Sequence, residues 1–370
     1  MAGLIETTET PPAAPERAPG GWSLIRRRLL PQALVVLALL IVVDMIVAVG
    51  VEPLSLFDKS SKASTAIGRV ALYHGFPTTP DVILMGNSRV QAGLDPSLLV
   101  HRAKDQFQQP VTVLNLGLVG GTPQPNYWLL KNIIQSNKQP KLIIYGATEF
   151  EFNPNSKVER WNYADELATL GDYGDIFPDM SRHIDMQLNF LVGRVWQLYR
   201  YRNALNILIP DTLYPDGSAT SDAPVEDALG FIPINHVMNS IDVRKMRYTY
   251  LEDPGYVRNY TVQGYEADRF EQLLQLAQAR GIRMIVINMP ITRVHETFLP
   301  PGGYDSYRNY LKTITAKYGV EFVDYNNHDL WTEPDDFADT HHMNRVGAKK
   351  LSQLVSQQVV IPALRELGWK

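Results

Sequence analysis

The chain has 370 residues, with 35 basic and 39 acidic side chains and a formal net charge of −4. That near-balance excludes a nucleic-acid binder whose affinity comes from neutralising phosphates, and 45% apolar residues exclude wholesale disorder. The absence of cysteine excludes disulfides, thiolate zinc sites, iron–sulfur clusters and cysteine nucleophiles together, but leaves the compartment open, because a large core needs no disulfide even outside the cytosol.

Residues 1–28 read as a disordered cytoplasmic tail, rich in Pro, Ala, Gly, Glu and Thr and closing on Arg26, Arg27 and Arg28. Residues 29–52 read as a transmembrane helix. Between Ala33 and Val51 the only charge is Asp44, and a helix of that length, about 28 Å, matches a hydrocarbon core. A cleaved signal peptide is the other reading, but its leading segment would be too long and no Ala-x-Ala cleavage site follows. The arginine triplet keeps the tail inside, so the rest of the chain is expected outside the cytoplasmic membrane, periplasmic or extracellular. Asp44 is costly in a bilayer and is expected to pair with another membrane helix or to sit near an interface.

Residues 53–79 form a linker and first helix, and residues 80–370 one domain. Short β-branched runs at Val82–Met85, Val111–Leu114, Lys141–Tyr145, Arg283–Ile287 and Val320–Val323 predict buried strands. Helical patterns follow at Asn126–Gln135, Tyr265–Arg280, Tyr304–Lys317 and Arg345–Gln358. Such alternation implies an α/β fold with a mainly parallel sheet covered on both faces, whose ligands sit beyond the carboxyl ends of the strands. Residues 151–262 break the pattern as a largely helical insertion, with one long amphipathic helix expected over Ser181–Leu208 and a polar loop after it.

Three strand or helix ends carry reactive side chains. Gly86-Asn87-Ser88-Arg89 ends the first strand; Ser88 either caps the next helix or exposes its hydroxyl, which then needs a base and an oxyanion site. Arg89 is placed either on an anionic substrate group or in a salt bridge. Asn115 to Thr122 ends the second strand, with Gly117, Gly120 and Gly121 leaving backbone N–H groups uncovered. Asp339-Thr340-His341-His342-Met343-Asn344 precedes the last helix, and a three-residue spacing lets Asp339 orient the His342 imidazole. A metal at the paired histidines with Asp335, Asp336 and Asp339 is the competing reading, although adjacent side chains diverge. His341 is read as a structural or rim residue and not a catalytic one.

Together the blocks resemble the SGNH, or GDSL-like, hydrolase superfamily. Gly86-Asn87-Ser88, then Asn115, Gly117, Gly120 and Thr122, then Asp339 and His342 follow the superfamily's motif order. The third block departs from the pattern, with Thr148 in Gly146-Ala147-Thr148-Glu149 where the family's oxyanion asparagine stands. The resemblance implies a three-layer α/β/α, flavodoxin-like domain with catalytic Ser88, His342 and Asp339. The oxyanion donors would be Ser88, Gly120 and Thr148, and no cofactor or metal is implied. Within the superfamily the chain is similar to membrane-anchored cell-envelope acyltransferases, such as the teichoic-acid D-alanine transfer protein and the alginate O-acetylation proteins. That likeness implies an acyl donor, a polysaccharide acceptor and a polytopic membrane O-acyltransferase as partners. The alternative it leaves is a non-catalytic scaffold that binds polysaccharide or such a partner.

Overall fold

The structure is a computed structural model that describes residues 21–50, 66–134, 139–156, 163–180, 184–200, 228–251, 255–257 and 259–370. Residues 1–20 of the tail, 53–65 of the linker and the polar loop of the insertion lie outside the described residues, whereas residues 21–28, read from sequence as the end of a disordered tail, are helical.

A thirty-residue helix, α1 (Gly21–Gly50), opens the described chain. Side chains are described for its residues 31–46, and nearly all of them are exposed. Among the described residues no helix is long and apolar enough to cross a membrane. The domain then runs α2 (Ala66–His74), β1 (Val82–Gly86), α3 (Ser88–Gly93), α4 (Pro96–Gln106), β2 (Val113–Asn115), α5 (Pro123–Ile134) and β3 (Leu142–Ala147). The insertion supplies α6 (Ala164–Leu167), α7 (Tyr173–Met180), α8 (Ile184–Val195), α9 (Gln197–Arg200) and α10 (Ser240–Leu251). The chain closes with α11 (Tyr265–Ala279), β4 (Arg283–Asn288), α12 (Arg293–Glu296), α13 (Gly303–Lys317), β5 (Glu321–Asp324), α14 (Arg345–Val355) and α15 (Ile361–Glu366).

All five strands pair in parallel in the order β2-β1-β3-β4-β5, the flavodoxin-like doubly wound order. Alternating side chains serve opposite cores, as a period of two requires. Ile83, Met85, Ile143 and Tyr145 meet Trp128, Phe270 and Leu311 from α5, α11 and α13. Val82, Leu84, Ile144 and Ile285 meet Leu99, Leu351 and Leu364 from α4, α14 and α15. Hence the strands read as continuous apolar runs rather than alternating ones.

One expectation changes here. The long helix expected over Ser181–Leu208 is broken into α8 and α9. A continuous helix would send the Leu198 N–H to the carbonyl of residue 194, but it goes to Asp44 Oδ1 of α1 at 2.6 Å. That contact also gives Asp44 a partner within its own chain. The insertion itself is no separate unit. Ala164, Leu167, Ile176 and Phe190 join the core of the sheet, and the returning backbone accepts from β2, Asn115 N to Leu229 O at 2.8 Å, and donates to α3, Ile232 N to Gln91 O at 3.2 Å.

Candidate active site

Helix α3 begins directly at the end of β1, and two glycines let it come that close. A Cβ on Gly146 would lie 2.3 Å from Val90 Cγ2, and one on Gly86 2.6 Å from the Gly146 carbonyl oxygen. Neither contact is sterically tolerable, so α3 can lie over the strand ends only with glycine at both places. Asn87, not Ser88, caps α3, its Oδ1 accepting from Arg89 N at 2.8 Å. The Ser88 hydroxyl is therefore spared for other use, and Ser88 is the one partly exposed residue of Asn87-Ser88-Arg89. Asn115 ties the second strand end to the same helix, donating to Val90 O and Leu94 O, each at 2.8 Å.

The imidazole comes from the other end of the chain. Residues 338–342 close a tight turn, with Ala338 N bonded to His342 O at 2.8 Å. Asn344 caps α14 just beyond it by accepting from Val346 N and Gly347 N. Asp339 Oδ1 takes the N–H groups of His341 and His342 at 2.8 Å each, and its Oδ2 takes His342 Nδ1 at 2.8 Å. An ionised carboxylate only accepts, so Nδ1 carries the hydrogen and Nε2 is left as acceptor. His342 Nε2 lies 2.8 Å from Ser88 Oγ. Burial acts to raise the Asp339 carboxyl, but the His341 and His342 imidazoles and a backbone N–H outweigh it and hold the group well below the usual range. The turn thus presents a fixed anion and a fixed tautomer to the Ser88 hydroxyl.

Of the two readings of Arg89 the structure shows the salt bridge, with 2% of the residue's surface exposed. Its guanidinium makes a two-pronged pair with Glu149, at 2.7 and 2.6 Å. Glu149 also meets His295 Nε2 at 3.0 Å, and His295 Nδ1 meets Thr340 Oγ1 at 2.8 Å. A buried chain Arg89–Glu149–His295–Thr340 therefore joins the residue after the serine to the turn that holds the histidine. Burial opposes the Glu149 charge, yet Arg89 and His295 keep its carboxyl well below the usual range. Burial lowers His295 despite Glu149. Sequence reading gave no role to Glu149, His295 or Thr340. The one local signal was Thr292, three residues before His295, which caps α12 by accepting the His295 N–H.

Thr148 is fully buried, and this corrects its assignment as an oxyanion donor. Its hydroxyl accepts from Asn87 Nδ2 at 2.7 Å and donates to Glu151 Oε1 at 2.7 Å, which uses its single hydrogen. The two backbone donors stand differently. The N–H groups of Ser88 and Gly120 form no hydrogen bond among the described residues. Gly120 has φ +62°, a left-handed conformation that favours glycine. Its loop is pinned by Leu118 N to Gly86 O at 2.9 Å and by the Tyr163 hydroxyl to Val119 O at 2.6 Å. Tyr163 belongs to the insertion, which therefore borders the glycine loop.

His341 is buried against His342, His295 and Tyr250, with ring centroids 4.1, 5.0 and 5.4 Å away. Burial drives its imidazole well below the usual range, against the pull of Asp339. Asp339, His341 and His342 are close enough for one ion, with ligand atoms within 4.8 Å of one another. Yet both Asp339 oxygens and both His342 nitrogens already serve the relay. Asp336 turns away to Lys350 and to Thr332 N.

A family model described as "Protein of unknown function (DUF1574)" matches residues 77–347. No curated protein matches the chain. Among solved structures the chain is similar to a lipase/acylhydrolase from Enterococcus faecalis, with 12% identity, 76% of this chain and 95% of that one covered, and a TM-score of 0.38. It is also similar to a GDSL-like lipase from Bacteroides thetaiotaomicron (12% identity, 76% and 88% covered, TM-score 0.35) and to an acetyl xylan esterase (10% identity, 75% and 98% covered, TM-score 0.37). Likeness at this distance says nothing about the reaction, which rests on the chain's own geometry.

Proposed function

The chain belongs to the DUF1574 family, and we propose that it is an SGNH-type serine acyl hydrolase or acyltransferase. One observation carries this reading: an unbroken relay from Asp339 through His342 to Ser88, each link 2.8 Å long, at the carboxyl edge of a parallel sheet. Ser88 Oγ attacks an acyl carbonyl while His342 Nε2 takes its proton, and Asp339 stabilises the imidazolium that forms. The Ser88 and Gly120 N–H groups face the oxyanion in this scheme. His342 then returns the proton to the departing oxygen, leaving an acyl group on Ser88. A second hydroxyl, deprotonated by His342, attacks that ester and frees the serine. Water in this role makes an esterase, and a sugar hydroxyl makes an O-acyltransferase.

The cellular setting is part of the same proposal. Apolar side chains cover the described part of α1, with Leu34 through Ile46 largely exposed, a surface suited to lipid. As an anchor preceded by Arg26, Arg27 and Arg28 it would leave the catalytic domain outside the cytoplasmic membrane. An exported polysaccharide is the acceptor we infer, with acyl groups handed over by a polytopic membrane O-acyltransferase.

A non-catalytic scaffold is the second reading, favoured by one feature: Thr148 supplies no side-chain donor to the oxyanion. Losing one such donor costs roughly 100–1000-fold in rate, so slow turnover is expected rather than none. Hydrolysis of p-nitrophenyl acetate by the full chain separates the two. Ser88→Ala and His342→Ala should each remove the catalysed rate, whereas equal rates for wild type and both variants would favour the scaffold. Acylated oligosaccharide appearing when a glycan is added identifies the transferase.

A further inference from the structure

Helix α8 is apolar on two sides. Phe190 and Gly193 are buried towards the domain, while Ile184, Leu188, Leu191, Val192 and Val195 are 73, 55, 39, 38 and 85% exposed. Those five recur at intervals of four, three, one and three residues, so they form one continuous outer stripe. Monomeric domains seldom leave such a stripe open to water. It continues at its end into the exposed Trp196 and then α9.

The next contact says what covers it. Leu198 N, in the first turn of α9, donates to Asp44 Oδ1 of α1 at 2.6 Å. Asp44 stands seven positions before Val51, the end of the apolar run, or about 10 Å along a helix axis. We propose that α8 lies in the outer headgroup–acyl boundary of the membrane that α1 crosses, with its stripe against lipid. This rests on the membrane-anchor reading above. The depth agrees with the roughly 5–10 Å at which interfacial helices lie. It also accounts for a carboxylate within an apolar helix, since the start of α9 leaves N–H groups without helical partners and one of them satisfies it. Trp196 and Tyr199 sit beside the contact, residue types suited to that boundary.

Two arginines carry this element into the domain. Arg194 donates to Ala164 O at 2.6 Å, and Arg200 to Glu166 O at 3.0 Å, both at α6. The Glu166 carboxylate in turn accepts from Ile67 N at 2.9 Å. The domain is thereby seated on the bilayer at two places, α1 and α8, instead of hanging from one tether. A seated domain holds its catalytic rim at a set height, where an acyl donor delivered through the membrane emerges.

The test uses the full chain in phosphatidylethanolamine–phosphatidylglycerol liposomes. Since the protein has no cysteine, Leu37→Cys, Leu188→Cys, Val195→Cys and Asn309→Cys each take a single nitroxide. The expected result is oxygen-rich, nickel-poor collision behaviour at 188 and 195, matching 37, with an oxygen-to-nickel ratio several-fold above that at the exposed 309. Nickel access at 188 and 195 equal to that at 309, with 37 still in lipid, overturns the seating of α8 while the anchor stands. Shielding of 188 and 195 from both reagents overturns it in favour of a second copy covering the stripe. Nickel access at 37 overturns the anchor reading and this proposal with it.

Discussion

The ends of β1 and β3 are neighbours in the sheet, paired up to Gly86 and Gly146, yet they do opposite things. After β1 comes Asn87-Ser88-Arg89, and after β3 comes Thr148-Glu149-Phe150-Glu151. At the first end one side chain, Ser88, stays partly open and reaches the histidine, while Asn87 and Arg89 turn inward. At the second end Thr148, Glu149 and Glu151 are all buried. The inward groups pair across the gap: Asn87 with Thr148 and Glu151, and Arg89 with Glu149. The β3 end is therefore the support of the β1 end and not a second arm of the chemistry. A motif position does not by itself say whether a side chain faces the rim or the support.

The strongest way to break this division is Glu149→Ala. It leaves the Arg89 guanidinium buried without its counter-charge, which costs about 3–5 kcal/mol. Urea unfolding should show that loss. The double replacement Arg89→Met with Glu149→Leu should recover most of it, since no buried charge is then left unpaired and the neutral His295 Nε2 loses one partner. A loss well below 1 kcal/mol for Glu149→Ala would mean that the pair supports nothing.

Thr148→Val sharpens the same contrast through rate. If Thr148 only supports, stability falls by about 1–3 kcal/mol from its lost bonds to the buried Asn87 and Glu151 side chains, and the folded variant hydrolyses ester at the wild-type rate. A rate loss of roughly 100–1000-fold in a folded variant would restore Thr148 as an oxyanion donor.

The smallest expected effect is in pH. His295 and His341 are held below the usual imidazole range by burial, so below about pH 6.5 the unfolded chain binds protons that the folded chain refuses. Stability is full above that pH and falls as acid is added, by up to about 1.4 kcal/mol per pH unit for each such histidine. Glu149 and Asp339, held low in the fold, add to the loss below about pH 4, whereas Glu151, pushed up by burial, takes its proton earlier in the fold and opposes the histidine loss above that pH. Thermal melts of His341→Asn should show a shallower fall between pH 6.5 and 5 than wild type. An unchanged slope would mean that His341 is not the buried neutral group described.

Much of the fold was legible because its signals are local. Each strand is a short β-branched run, and the five predicted strands are the five observed, with ends shifted by a few residues. Ser88 and the Asp339–His342 pair were legible for the same reason, since a strand end and a three-residue spacing each fix geometry over one turn. The support was not. Arg89 and Glu149 are 60 positions apart, and Glu149 and His295 146, and nothing local marks a charge that will be buried with a distant partner. The break between α8 and α9 was hidden likewise, because it depends on Asp44, 154 positions earlier.

The most direct measurement is the mass of the folded chain after brief incubation with p-nitrophenyl acetate, followed by peptide mapping. One acetyl group on the peptide containing Ser88, absent from Ser88→Ala and weakened in Asp339→Asn, is the result expected. Acetylation that persists in Ser88→Ala, or none at all in a folded wild-type chain, would contradict a nucleophile at the end of β1.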